Sequence, residues 1–495
     1  MLTPYHTSIG SFTRKSTFFW AAVGATVGLS NLWQFPYLAS LHGGAAFLVV
    51  YLVCLLVITL PLMVAESGLG RQSRHGLVLA LDGLIRRAGC SRGWMYVGRL
   101  AIVAAFLVLS YSAVFGAIAV AYVFQGAIGR LSGVDEAGAG RVLAALVADP
   151  GNYRVFVAWH AFFLFLVVGV SMQGVVKGLE RAVRTLVPGL LLLLLALFAL
   201  AAVRGHLSES VGRLLGWRLE DLDWTGVRAA LFQAVFTLGL GMGVWTILGA
   251  YSTAHTRFKR SLIAVVLVDA LVAVLAGLMM YAMAPADPTY GGRGFELLFI
   301  TLPVSLGQFP YSQFLMAVTF LMVVLVVWTS SLALMEPVVG WFREWTGAPR
   351  GLSALLVGVL AWVAGLASLL SFNLWSDYRW AGATAFRWLE FVTAGIIIPL
   401  VASLLAFFIG RRLYRHMAIE LTGETPAPVA RIWYYLLRTV LPLLVAVVGV
   451  LYLEYAMSGL CTAGGSSPWC EQRQPAVAQV RENAPNGGDF LYHRG

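Results

Sequence analysis

"GATVGLSN", residues 24–31, interrupts an apolar run that begins near Phe18. Glycine costs about 1 kcal/mol relative to alanine in a helix interior. Ser30 and Asn31 place polar groups in the same stretch. A hydrophobic span with two glycines, a serine and an asparagine at its centre reads as a helix built to break there.

The rest of the chain says that this span crosses a membrane. Of 495 residues 59% are apolar and 12% charged, with a mean hydropathy of +0.81, more apolar side chain than a water-soluble domain hides. Apolar segments able to cross about 30 Å of hydrocarbon occur near 18–41, 44–66, 98–126, 155–172, 182–203, 227–250, 261–284, 312–342, 352–370, 388–410 and 432–454. The runs are continuous rather than alternating, which excludes a β-barrel. The chain reads as an all-α integral membrane protein with about eleven transmembrane helices. Residues 1–17 are polar and no A-x-A site follows, so the first span is expected to remain in the product.

A formal net charge of +11 does not indicate nucleic acid, because the charges are segregated. Arg71, Arg74, Arg86, Arg87, Arg92 and Arg99 lie between spans two and three, Lys177, Arg181 and Arg184 between four and five, and Arg257, Lys259 and Arg260 between six and seven. Arg411, Arg412, Arg415 and Arg431 fall on the same side, which by the positive-inside rule is cytoplasmic together with the N-terminus. An odd span count places the C-terminus outside. Cys54 and Cys90 read as unbridged thiols, and Cys461 and Cys470, in the predicted external tail, leave an oxidised pair open. The organisation is then a cytoplasmic tail (1–17), a first group of five spans (18–203), a second group of five (227–410), an eleventh helix (432–454) and an external tail (455–495).

No loop is long enough for a soluble catalytic domain, the longest being 127–154 and 285–311, and the eight histidines form no metal-binding spacing. An enzyme is therefore not expected. Span six instead repeats the opening feature, with "FTLGLGMG" at residues 236–243. Spans one and six open two groups of five, and matched interruptions of this kind mark transporters built from inverted repeats. Unwinding at mid-membrane frees N–H groups at the start of one half-helix and carbonyls at the end of another, so a cation and an anionic group are held side by side. The alternative is that small residues merely let helices approach closely.

Several segments together carry a resemblance. "GATVGLSNLWQFPY" and "GGAAFLVVYLVCLLVITLPLMVAESGLGR" are followed by "SYSAVFG", "FQAVFTLGLGMG", "LVDALVAVLAGL", "WTSSLALMEPVV" and "LEFVTAGIIIPL". Over about residues 12–410 the chain resembles the neurotransmitter:sodium symporter family, most of all its bacterial amino acid branch. The resemblance implies a 5+5 inverted repeat with discontinuous helices one and six in a multi-pass protein of the cell inner membrane. It implies two Na+ sites. The first would use the Thr26 carbonyl, Asn31, Thr237 and Asp269; the second, carbonyls of Gly24, Val27 and Val326 with the hydroxyls of Thr329 and Ser330. The plainer alternative for these hydroxyls is bonding back to their own helix. Chloride-dependent relatives have asparagine where this chain has Asp269, and a serine four residues on where it has Ala273, so no chloride requirement is expected. A carboxylate in mid-membrane is a functional candidate on its own account.

For the substrate, the resemblance implies amide N–H groups of Leu29 and Ser30 and the Tyr111 hydroxyl at a carboxylate, with carbonyls near Phe236 and Thr237 at an ammonium. Gly28 stands where carriers of biogenic amines have aspartate, which favours a substrate with its own carboxylate. Leu107, Phe236, Gly239, Met242, Ser330 and Leu334 would line the side-chain end, under a lid of Tyr111 and Phe236. The expected activity is sodium-coupled import of a neutral, apolar amino acid by alternating access. A proton-coupled amino acid or organic cation carrier of the same fold, and a transporter-like sensor or channel, stay open as alternatives.

Gating residues depart from the family pattern. Gln34 replaces the usual arginine of the outer gate while the acid remains as Glu390, which is left to water, a proton or the Gln34 amide. Glu344 matches the inner acid, but the tail motif reads Ile9 and Phe12, with Arg14 or Lys15 as candidate substitutes. Gly178 and Pro188, in "GLERAVRTLVP", mark a helix start prone to open toward the cytoplasm.

Overall fold

The computed structural model describes residues 9–283, 294–412, 431–433 and 435–462. Among these, nine helices are long and apolar enough to cross a membrane: Ala45–Ser73, Arg92–Ala127, Tyr153–Met172, Val175–Arg204, Phe258–Met283, Ser312–Thr346, Arg350–Leu370, Ala385–Arg411 and Arg431–Glu454. The two remaining predicted spans are the interrupted ones. Span one consists of Thr17–Thr26, a π-helical turn at Ser30–Gln34 and Phe35–Leu41. Span six consists of Trp224–Thr237 and Val244–Tyr251.

Helix ends run past the apolar windows where polar residues continue the hydrogen-bond ladder. Span three begins at Arg92 rather than 98, and span eight runs to Thr346 rather than 342. The two longest predicted loops carry helices of their own, Glu136–Val147 and Leu297–Gly307. The first of these is started by Asp135, whose carboxylate accepts the Gly138 N–H at 2.8 Å. Cys470 lies outside the described residues, and of Cys461 only the helical backbone in Leu441–Thr462 is described, so the oxidised pair left open there lies outside the described residues.

Small residues let the spans meet backbone to backbone. A Cβ on Gly70 would run into the Thr246 carbonyl, and one on Gly249 into the Ser67 carbonyl, so the "AESGLG" end of span two and the second half of span six fit only with glycine at these two positions. Spans three and eight form the long central pair, where a Cβ on Gly126 would stand 2.5 Å from Met316 Cβ. Around this scaffold the broken spans are held face to face, which places both interruptions at one locus.

Candidate functional site

The first interruption opens at Val27, whose ψ of 98° leaves the helical region. Asn31 then closes the gap: from inside the half-helix that follows, its side-chain oxygen reaches back to accept the Gly28 N–H at 3.1 Å, satisfying a donor freed by the break. Leu29 and Ser30 stand in the first turn of that half-helix, where amide N–H groups have no partner within the helix. In span six Gly239, Gly241 and Gly243 take φ of +63°, +72° and +72°, the left-handed region in which glycine is unstrained. Freed backbone is satisfied from the side. Glu66, fully buried in span two, accepts the Gly241 N–H at 2.8 Å, and the Trp245 indole donates to the Leu238 carbonyl at 2.6 Å.

Between the two interruptions lies a buried polar cluster. Asn31 Nδ2 donates to Asp269 Oδ1 at 3.0 Å and to its carbonyl at 3.3 Å. Tyr51 donates to Asp269 Oδ2 at 3.1 Å, and Thr237 Oγ1 lies 3.4 Å from both Asp269 Oδ2 and Asn31 Oδ1. Four spans thus converge on one carboxylate that is 0% exposed. Three of the four residues were expected together; Tyr51 was not. Thr26 is buried beside them, its hydroxyl donating to the Val23 carbonyl at 3.2 Å.

The second expected set also assembles. Ser330 Oγ reaches across to the Val27 carbonyl at 3.1 Å and back to Val326 at 3.0 Å. Thr329 Oγ1 bonds back to Leu325 and Val326 at 2.9 and 3.2 Å, the plainer behaviour of a hydroxyl in a span. Gly24 is glycine because a Cβ there would stand 3.3 Å from Thr329 Cβ and 2.9 Å from Val187 Cγ2. Val187 precedes Pro188, so the span-five segment singled out in the sequence borders this locus. Its start is a π-helical turn, Val175–Glu180, containing Gly178. Glu180 accepts from Thr13 N, Thr13 Oγ1, Arg14 N and Thr17 Oγ1 at 2.7–3.2 Å, tying the tail to span five.

Of the residues expected to meet a substrate, Leu107, Tyr111, Phe236, Gly239 and Ser330 are partly buried, and Met242 and Leu334 nearly fully so. A Cβ on Gly239 would sit 3.3 Å from Met242 Cε. The two rings expected to form a lid do not touch. Tyr111 meets Phe386 edge-on at 6.0 Å, whereas Phe236 contacts Phe232 and Tyr452 at 6.4 and 5.6 Å.

Both gate readings need correction. Gln34 is exposed, and the partner of Glu390 is not the Gln34 amide: Arg387, three residues earlier on the same helix, donates to it at 3.2 Å. Glu344 is not met by Arg14 or Lys15, which are exposed beside span five; it accepts from Gly76 N at 2.9 Å and faces His75 Nδ1 at 3.2 Å. That hydrogen bond raises the His75 imidazole above its ordinary value, against the lowering effect of burial. Phe12 docks on Tyr251, N–H to carbonyl at 2.8 Å and ring to ring at 5.6 Å. Beneath it Glu336, wholly buried, holds Arg350 at 2.5 Å, Tyr251 at 2.7 Å and Ser171 at 3.2 Å. This network joins spans four, six, eight and nine and had no sequence signal beyond an acid beside Pro337.

Residues 10–133 and 142–460 match the profile of the Sodium:neurotransmitter symporter family. The chain belongs to this family. It is 31% identical over 441 residues to an uncharacterized sodium-dependent transporter, YhdH, of Bacillus subtilis, covering 88% of this chain and 95% of that one. A second uncharacterized sodium-dependent transporter, of Haemophilus influenzae, is 24% identical over 452 residues, covering 88% and 97%. Among solved structures, MhsT in complex with L-phenylalanine superposes with a TM-score of 0.78 at 27% identity, over 89% of this chain and 99% of that one. The symporter is accordingly a multi-pass, sodium-dependent membrane transporter and not an enzyme, with the discontinuous first and sixth spans of that fold.

Proposed function

We propose that this symporter couples sodium to the import of a neutral, apolar amino acid by alternating access, using two sodium sites and no chloride. The observation that carries the reading is the convergence of Asn31, Tyr51, Thr237 and Asp269 between the two interruptions. A buried carboxylate there supplies the negative charge that a cation requires, and carbonyl and hydroxyl oxygens complete a shell suited to a weakly held monovalent ion. Thr26, Asn31, Thr237 and Asp269 hold the first ion; Gly24, Val27, Val326, Thr329 and Ser330 hold the second. Leu29, Ser30 and Tyr111 take the substrate carboxylate, which is shared with the first ion, so that each ligand raises the affinity for the other. Gly28, with only Thr26 O and Ser330 Oγ within 4 Å of its Cβ position, leaves no acid for a free amine. The L-phenylalanine bound by MhsT favours a large apolar side chain among Leu107, Phe236, Gly239, Met242, Ser330 and Leu334.

Counterflow of labelled leucine or phenylalanine in proteoliposomes tests this. Accelerated exchange in sodium gluconate, absent in potassium gluconate, is expected. Exchange of equal rate in both salts, or conductance without exchange, would remove the coupling.

A further inference from the structure

We propose that Tyr452, in the eleventh span, is a positioning residue for the Phe236 ring and thereby sets how readily the site closes over its substrate. This rests on the reading of Phe236 and Tyr111 as the lid. The first ten spans supply every residue assigned above, and the eleventh has no role in that account. Yet Tyr452 lies edge-on to Phe232 at 5.3 Å and 81°, and against Phe236 at 5.6 Å and 50°. Both phenylalanines project from one side of Trp224–Thr237, one turn apart, so the tyrosine grips the half-helix that ends at the interruption.

The tyrosine is itself fixed in place. A Cβ on Gly395, in the π-helical turn Phe391–Ile397, would stand 3.3 Å from Tyr452 Cδ1 and 2.7 Å from Leu453 Cδ2. One turn earlier, a Cβ on Gly449 would stand 2.7 Å from Pro399 Cβ. Span eleven is thus seated on span ten through two glycines. Tyr111, the other lid ring, is held by a different neighbour, Phe386. Bringing Phe236 over a substrate toward Tyr111 therefore requires it to leave Tyr452. A ring pair of this kind changes an equilibrium by roughly twofold to tenfold.

The test is the release rate of labelled leucine and labelled phenylalanine from the purified full-length protein in sodium. Tyr452→Leu keeps an apolar side chain on Phe232 but removes the ring, and is expected to slow release about threefold to fivefold and to lower KM more than kcat. The sodium dependence of binding should stay as in wild type, and Tyr452→Phe should restore the wild-type rate. Phe232→Leu is expected to act in the same direction and serves if Tyr452→Leu does not fold. Wild-type protein that binds neither amino acid in sodium overturns the functional reading and this proposal with it. Wild-type protein that binds, with both leucine variants releasing at the wild-type rate, overturns this proposal alone.

Discussion

Replacing Asp269 by asparagine changes one charge and little volume, and the structure sets the size of the effect. The carboxylate accepts from Asn31 at 3.0 Å and Tyr51 at 3.1 Å. Hydrogen bonds to a charged group are worth about 1.5–3 kcal/mol against about 0.5–1.5 for neutral ones, so the pair loses roughly 2 kcal/mol of support. A sodium ion about 4 Å from the charge gains about 4 kcal/mol at an effective dielectric of 20. Burying the carboxylate costs several kcal/mol in the ion-free state, which offsets part of this. The net expectation is about 2–3 kcal/mol in sodium affinity, or roughly 30-fold to 150-fold. The assay is a sodium titration of labelled amino acid binding in gluconate buffer, with lithium and potassium as controls. Adding Ala273→Ser to Asp269→Asn should restore part of the affinity in a chloride-dependent manner. A single variant whose sodium midpoint in gluconate stays within threefold of wild type would refute the assignment of Asp269 as the charge that replaces chloride.

Gly241 takes φ of +72° with its Cβ position 2.8 Å from the Ile398 carbonyl, so Gly241→Ala should lower stability by about 2–4 kcal/mol, read as a reduced denaturation midpoint in detergent. The charge partner of Glu390 is Arg387, and both are about one-third exposed, at 34% and 33%. Arg387→Gln should therefore speed modification of a vestibule cysteine by less than about fivefold, since such pairs are worth at most about 1 kcal/mol, whereas Gln34→Ala should leave it unchanged. The folded state raises the His75 pKa above 6.5, so the His75–Glu344 attraction is complete below that value and is lost as pH rises through the raised one. Modification of a cysteine on the cytoplasmic side should accelerate over that window, and His75→Gln should abolish the pH dependence.

The membrane class, the number of spans and the two interruptions were legible because each is written in a contiguous stretch: apolar length in one case, glycine and polar residues inside it in the other. Asn31 and Asp269 were legible for the same reason, as polar groups where lipid forbids them, whereas Thr237 was legible only through the family resemblance. Tyr51 was not, because a tyrosine in an apolar helix carries no sign of where its hydroxyl points, and its partner lies 218 residues away. His75 and Glu344 are 269 residues apart, and no periodicity links a loop histidine to the end of span eight. Glu66 stood in a recognised segment, but its role depends on a break in another helix 175 residues on. Arg387 is the opposite case: it stands three residues from Glu390, while the family pattern points to a partner in span one.

The central claim is that one amino acid and sodium bind together at the interruptions without chloride. Its most direct test is a thermal-shift series of the twenty amino acids in sodium gluconate and in potassium gluconate. A ligand that binds only the folded state at 100 times its Kd stabilises it by about 2.7 kcal/mol, well within reach of the method. Leucine-sized or aromatic amino acids are predicted to raise the transition in sodium gluconate and to leave it unmoved in potassium gluconate. Equal shifts in the two salts, or a shift in sodium that appears only when chloride is added, would contradict the account.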